Sequence, residues 1–153
     1  MPRVITRSHN ISSISSGTMR TEDLIPCFVS ELQRQKPLRR EHKRLAREIN
    51  SRIEEENYFS SEDAGFDLEE LTEALQEYAP SYFYFGAHPG DGADYGYWLD
   101  ESFQDDSEGI KVSDLSEIPA DYFGEVLVIN DHGNMSLYLK SRNRKTVELW
   151  AIV

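Results

Sequence analysis

Apolar positions recur with a helical period through the first half of the chain and a strand period through the second. Thr21-Glu22-Asp23 places a capping residue and two acids where the open N–H groups of a helix start favour them. Phe28, Val29 and Leu32 then form one apolar face, so a helix is predicted over about 22–35, ending before Pro37. Pro37 suits the first turn of a second helix, about 37–56, along which Leu38, Leu45, Ile49 and Ile53 make a single stripe. A third helix, about 67–79, opens on Asp67 with Glu70 in capping-box spacing. Leu68, Leu71, Leu75 and Tyr78 line one side of it, and Ala79-Pro80 ends it.

Past Pro80 the pattern changes. Tyr82-Phe83-Tyr84-Phe85 and Tyr95-Gly96-Tyr97-Trp98-Leu99 have high strand propensity, predicting strands at about 81–86 and 95–99 joined by a loop from Gly86 to Asp94. Eight of the seventeen aromatic residues fall between Tyr78 and Trp98, so this hairpin is expected to floor the core. Ile110 to Val112 reads as a small strand. Further strands follow at about 125–130, 135–140 and 146–152, the first two joined by a turn at Asn130 to Asn134. Helices first and strands later, without alternation, predict an α+β fold: N-terminal helices packed on one face of a mostly antiparallel sheet. The expected organisation is a single domain over 20–153.

Residues 1–19 show no period. They are rich in serine, carry Arg3 and Arg7, and hold no acid, which resembles transit-peptide composition without its amphipathic stripe. The plainer expectation is a disordered extension, with Met19 as the effective start. No run approaches the roughly 18–20 apolar residues of a membrane span. The single cysteine, Cys27, excludes a disulfide scaffold and fits a reducing, cytoplasmic setting.

Charge alters the picture more than composition does. Met1 to Arg52 holds eleven basic and five acidic residues, whereas Ile53 to Leu139 holds one basic residue and twenty-two acids. The whole chain carries -12, which argues against generic binding to nucleic acid or anionic lipid. On the second helix Arg39, Arg40, Lys43, Arg44 and Arg47 fall in one arc opposite the apolar stripe. That basic face could grip phosphate or an acidic partner, although as a rule such a face is only a solvated one.

Candidate chemistry gathers in two segments. Ala87-His88-Pro89-Gly90-Asp91-Gly92-Ala93-Asp94 and Asn130-Asp131-His132-Gly133-Asn134 together offer two imidazoles and three carboxylates, ligand types suited to zinc, iron or manganese if the segments meet. A metal-dependent enzyme using His88, Asp91, Asp94, Asp131 and His132 is therefore one expectation. The same letters are also turn chemistry, with glycines permitting tight bends and Asp and Asn bonding their own backbone, and this reading is preferred. No HExxH or calcium-loop pattern is present, and GDGADYG lacks the lysine of a phosphate loop. Cys27 reads as apolar filler, and His9 and His42 as exposed. No catalytic residue and no cofactor are expected.

Tyr82 to Phe85, GAHPGDGADYGYW from Gly86 to Trp98, VINDHGNM from Val128 to Met135 and Leu149-Trp150 together resemble a group of small proteins from bacteria, plasmids and phages without an assigned activity. The resemblance covers about Arg20 to the C-terminus and implies a bacterial or mobile-element accessory protein. The expected function is a non-enzymatic acidic interaction module, in one form an inhibitor of a nucleic-acid-handling defence protein. Its partner would present a basic surface to Asp91, Asp94, Tyr95, Tyr97, Asp100, Glu101, Asp105, Asp106 and Glu108.

Overall fold

Leu24, Ile25, Phe28, Val29 and Leu32 repeat along one side of α1 (Thr21–Gln33) and are all almost fully buried. Each such side chain contributes about 1.5–3 kcal/mol when taken from water, so this helix is the centre of the helical layer. It packs against α2 (Arg40–Ile53), which buries His42, Ala46 and Ile49, and α3 (Glu62–Gln76), which buries Ala64, Asp67, Leu71, Ala74 and Leu75. These elements come from a computed structural model that describes residues 11–152, apart from the side chains of Gln104, Asp106 and Arg144.

The strands form two sheets. In the first, β1 (Ser13–Ser15), β3 (Asp91–Leu99) and β2 (Phe83–His88) lie in that order and run antiparallel. Phe83 opposes Leu99 and Phe85 opposes Tyr97, so the period of two turns Phe83, Phe85 and Tyr97 into the core beneath the helices. In the second, β4 (Ile110–Val112), β5 (Gly124–Ile129), β6 (Met135–Ser141) and β7 (Arg144–Ile152) are in chain order; β4 pairs parallel to β5 and the rest antiparallel. Trp150 ties the two together. Its indole N–H donates to the Ser81 carbonyl at 2.9 Å, and its ring meets Phe83 and Phe103 edge-on at 5.3 and 5.6 Å. Phe103 opens the short α4 (Phe103–Asp106).

The expected α+β class is the observed one. Several expected boundaries are not. The strands divide between two sheets, and Trp150 of the second packs on Phe83 of the first and on Phe103. Strand runs through most of Gly86 to Asp94, leaving only Pro89 and Gly90 between β2 and β3: Gly86, Ala87 and His88 oppose Gly96, Tyr95 and Asp91, and the Ala93 carbonyl accepts the Gly17 N–H. Within the segment read as an extension, residues 11–19 are described and hold β1; Met1 to Asn10 lie outside the described residues. Gly96 makes this pairing possible: a Cβ there would sit 2.4 Å from the Ser12 carbonyl oxygen. Among the described residues no helix is long and apolar enough to cross a membrane.

Candidate functional site

The second and third helices run antiparallel, with Arg39 and His42 of the α2 start against Glu77 at the α3 end, and Arg52 at the other end against Asp67. Between them lies a groove of about 450 Å³, floored by Leu45 and Ala74 and rimmed by Glu41, Glu48, Glu70, Glu73 and Glu77, with Arg44 among them. His42 borders it on the same helical side as Ala46 and Ile49, and is 7% exposed. The Tyr78 hydroxyl accepts from the Arg39 backbone N–H at 2.9 Å and lies 2.7 Å from His42 Nδ1. On the other side of the ring, His42 Nε2 lies 2.8 Å from the Glu77 carboxylate. Burial is the first cause of a raised Tyr78 pKa, with the neighbouring Arg39 backbone N–H working against it.

Ligand atoms of Glu41, His42 and Glu77 lie within 4.8 Å of one another, the one such group of three among the described residues. Imidazole with two carboxylates suits a divalent ion. Yet the Arg39 guanidinium already reaches Glu77 at 3.1 Å and Glu41 at 3.4 Å, supplying the positive charge these carboxylates require. What the geometry presents is a closed ion network pinning one end of α2 to α3.

Charge on the outer surfaces is sorted by helix. At about 100° per residue, Arg40, Lys43, Arg44 and Arg47 share one exposed face of α2. None of the four is in an ion pair among the described residues. Arg39, expected on that face, instead turns to Glu41 and Glu77. On α3 Glu62, Phe66, Glu69, Glu70, Glu73 and Glu77 fall within an arc of about 120°. Phe66, 61% exposed, stands in the middle of these carboxylates.

The residues singled out in the two glycine-containing segments are spread over different sheets. His88 closes β2, with its ring edge-on to Trp98 at 4.6 Å and Nδ1 accepting the Gly90 N–H at 2.9 Å. Asp91 accepts the Ala93 N–H at 3.0 Å, and Asp94 accepts the Ser13 hydroxyl, tying down β1. In the β5–β6 turn Asn130 accepts the backbone N–H of both His132 and Asn134, at 2.9 and 3.0 Å, and Asp131 and His132 are exposed. No three of His88, Asp91, Asp94, Asp131 and His132 bring ligand atoms together as Glu41, His42 and Glu77 do.

The expected partner surface also changes. Tyr97 is 1% exposed and donates to Glu31 at 3.0 Å; burial, then the Glu31 charge, push its pKa far up. Tyr95 is half-buried, meeting Phe28 edge-on at 5.6 Å, and Asp94 is half-buried too. Both tyrosines share a strand face with Leu99 that turns towards the helices, which takes Tyr97 out of reach of a partner and leaves Tyr95 half-exposed. Asp91, Asp100, Glu101, Asp105 and Glu108 are exposed, and the side chain of Asp106 lies outside those described. Asp100 accepts from the Ser102 N–H and hydroxyl, which hold its carboxyl below the usual range.

His42, expected to be exposed, was the main omission. Its spacing of four and seven to Ala46 and Ile49 was the available signal. No protein-family model, curated protein or solved structure matches the chain.

Proposed function

We propose that this chain is a non-enzymatic acidic interaction module, and that the outer face of α3 is where it meets a basic protein surface. One observation carries the reading: a large aromatic side chain, Phe66, exposed amid Glu62, Glu69, Glu70 and Glu73, none of which is in an ion pair among the described residues. Glu69 with Glu73, and Glu70 with Glu73, are like charges one turn apart, an arrangement that costs an isolated helix a few tenths of a kcal/mol per pair. A cationic surface offsets that repulsion, and the carboxylates steer it to an apolar anchor that its desolvation rewards.

The test uses charge-matched variants and a labelled peptide of alternating Arg and Leu as the basic probe. Glu70→Lys with Glu73→Lys should weaken binding about tenfold at about 50 mM salt, as should Phe66→Ala. Asp100→Lys with Glu101→Lys, the same change in net charge elsewhere, should alter it less than about threefold. Equal losses from both pairs would reduce the effect to bulk charge and end the proposal.

A further inference from the structure

At the start of α2 two carboxylates converge on an imidazole. His42 Nε2 lies 2.8 Å from Glu77, and ligand atoms of Glu41, His42 and Glu77 all fall within 4.8 Å of one another. A tetrahedral ion with bonds of about 2.0–2.2 Å holds its ligands roughly 3.4 Å apart, so shifts of about an ångström by the two glutamates reach that spacing. Both glutamates are exposed and have room to move.

The imidazole is the fixed member of the set. It is buried, its ring stands edge-on to Tyr78 at 5.3 Å, and the Tyr78 hydroxyl lies 2.7 Å from Nδ1. That hydroxyl accepts the Arg39 backbone N–H with one lone pair and has a second with which to accept Nδ1–H. In that tautomer the Nε2 lone pair faces the carboxylates, with the outer hydrogen bond that orients ligating histidines.

We propose that Glu41, His42 and Glu77 bind a divalent transition ion of the zinc class, which displaces the Arg39 guanidinium from the two carboxylates. The site stands apart from the reading of α3, and either can fail alone. An imidazole with two carboxylates favours zinc and its neighbours over calcium or magnesium, which prefer shells of oxygen. Arg39 is a weak competitor, because its side chain is 38% exposed and such ion pairs are screened by salt. Five carboxylates line the groove, and the guanidiniums of Arg39 and Arg44 leave that charge in excess, so a dication is the better match. Bound there, the ion joins Glu41 and His42 of α2 to Glu77 at the α3 end, fastening one end of the helical pair as Arg52 and Asp67 fasten the other. Three protein ligands leave a fourth position for water.

Zinc chloride titrated into the full chain, first freed of metal by a chelator, tests the site. Calorimetry should find one equivalent, half-saturated at or below about 10 µM. The nitrogen resonance of His42 Nε2 should move on zinc addition while those of His88 and His132 stay. Glu41→Gln and Glu77→Gln should each weaken binding about tenfold or more. Arg39→Gln should tighten it about threefold, since a competing cation is gone while the backbone N–H to Tyr78 is kept. His88→Ala with His132→Ala should leave the affinity unchanged. No saturable binding up to about 100 µM zinc overturns the proposal. So does binding indifferent to both glutamine variants, binding lost with His88 and His132, or an Arg39→Gln variant that binds no tighter than wild type.

Discussion

Removing the Asp67 carboxylate should unlock α3 from the two elements before it. Asp67 is 3% exposed; its Oδ2 accepts the Tyr58 hydroxyl at 2.7 Å and its Oδ1 accepts the Arg52 guanidinium at 2.6 Å. Asp67→Ala deletes both bonds and leaves the Tyr58 hydroxyl, on a residue 4% exposed, without an acceptor, at about 1–3 kcal/mol. Breaking a fully buried ion pair costs about 3–5 kcal/mol, but the Arg52 side chain is 39% exposed and regains water, which trims the electrostatic part. Alanine's better helix propensity returns roughly half a kcal/mol. The net expectation is a loss of about 2–4 kcal/mol, a sizeable share of the roughly 5–15 kcal/mol that holds a domain together. Asp67→Asn should lose about half as much: its amide can still accept from Arg52 and can donate to the Tyr58 oxygen, surrendering the charge and the acceptor of the Tyr58 proton but leaving both contacts bridged. Urea unfolding reads both values as shifted midpoints at unchanged slope. An alanine variant within about 0.5 kcal/mol of wild type, or asparagine as costly as alanine, would refute this account of the site.

Two further outcomes can be checked on the same protein. Burial, followed by hydrogen bonding to Asp67 for Tyr58 and by the Glu31 charge for Tyr97, raises both phenol pKa values above 10.0, so the folded state keeps protons that the unfolded chain releases. Their contribution is complete below about pH 10 and is lost as pH climbs past it, so urea midpoints should fall between pH 9 and about 11, and absorbance titration should find these two of the eight tyrosines ionising last; level midpoints would contradict it. Gly96→Ala should lift β1 from β3, since its Cβ would lie 2.4 Å from the Ser12 oxygen and 2.7 Å from the Ser13 Cα. The Tyr97 amide, which donates to Ser12 at 3.2 Å, should then exchange with solvent, at a cost of about 1–3 kcal/mol; unchanged protection there would show that the strand can yield.

Periodicity made the helices and most strands legible because burial of one face is written into spacing. Phe83, Phe85 and Tyr97 are where a two-residue period puts them, and α1 buries the face its apolar residues mark. What spacing does not carry is the destination of a polar group. Asp67 with Glu70 has the letters of a helix start, and the helix instead begins five residues earlier, at Glu62. An aspartate reads as a cap only while it is assumed to face water; supplied with a tyrosine and an arginine from elsewhere in the chain, it is stable in the middle of a buried helix face. β1 was hidden for a related reason. Its three residues have no period of their own and are fixed by ladder bonds to a strand some eighty positions away.

Chemistry was less legible than fold, and the two glycine-containing segments show why. Histidine and aspartate there carry the same letters whether they ligate or brace a turn, and the hydrogen bonds of His88, Asp91 and Asn130 are those of backbone bracing. Charge segregation, in contrast, was visible from residue counts alone but had no direction until α2 and α3 were set side by side. A chain that needed only solubility could have interleaved its signs along each helix and gained a few tenths of a kcal/mol per one-turn pair. α2 does interleave, with Glu41 and Glu48 one turn from Arg44, whereas α3 carries Glu62, Glu69, Glu70 and Glu73 with no basic residue and with Phe66 uncovered between the acids. On α3 the acids repel one another at one-turn spacing, a cost that a surface of opposite sign would relieve. The exterior of the helical layer, not the turns of the sheets, is where selection on this fold should be sought.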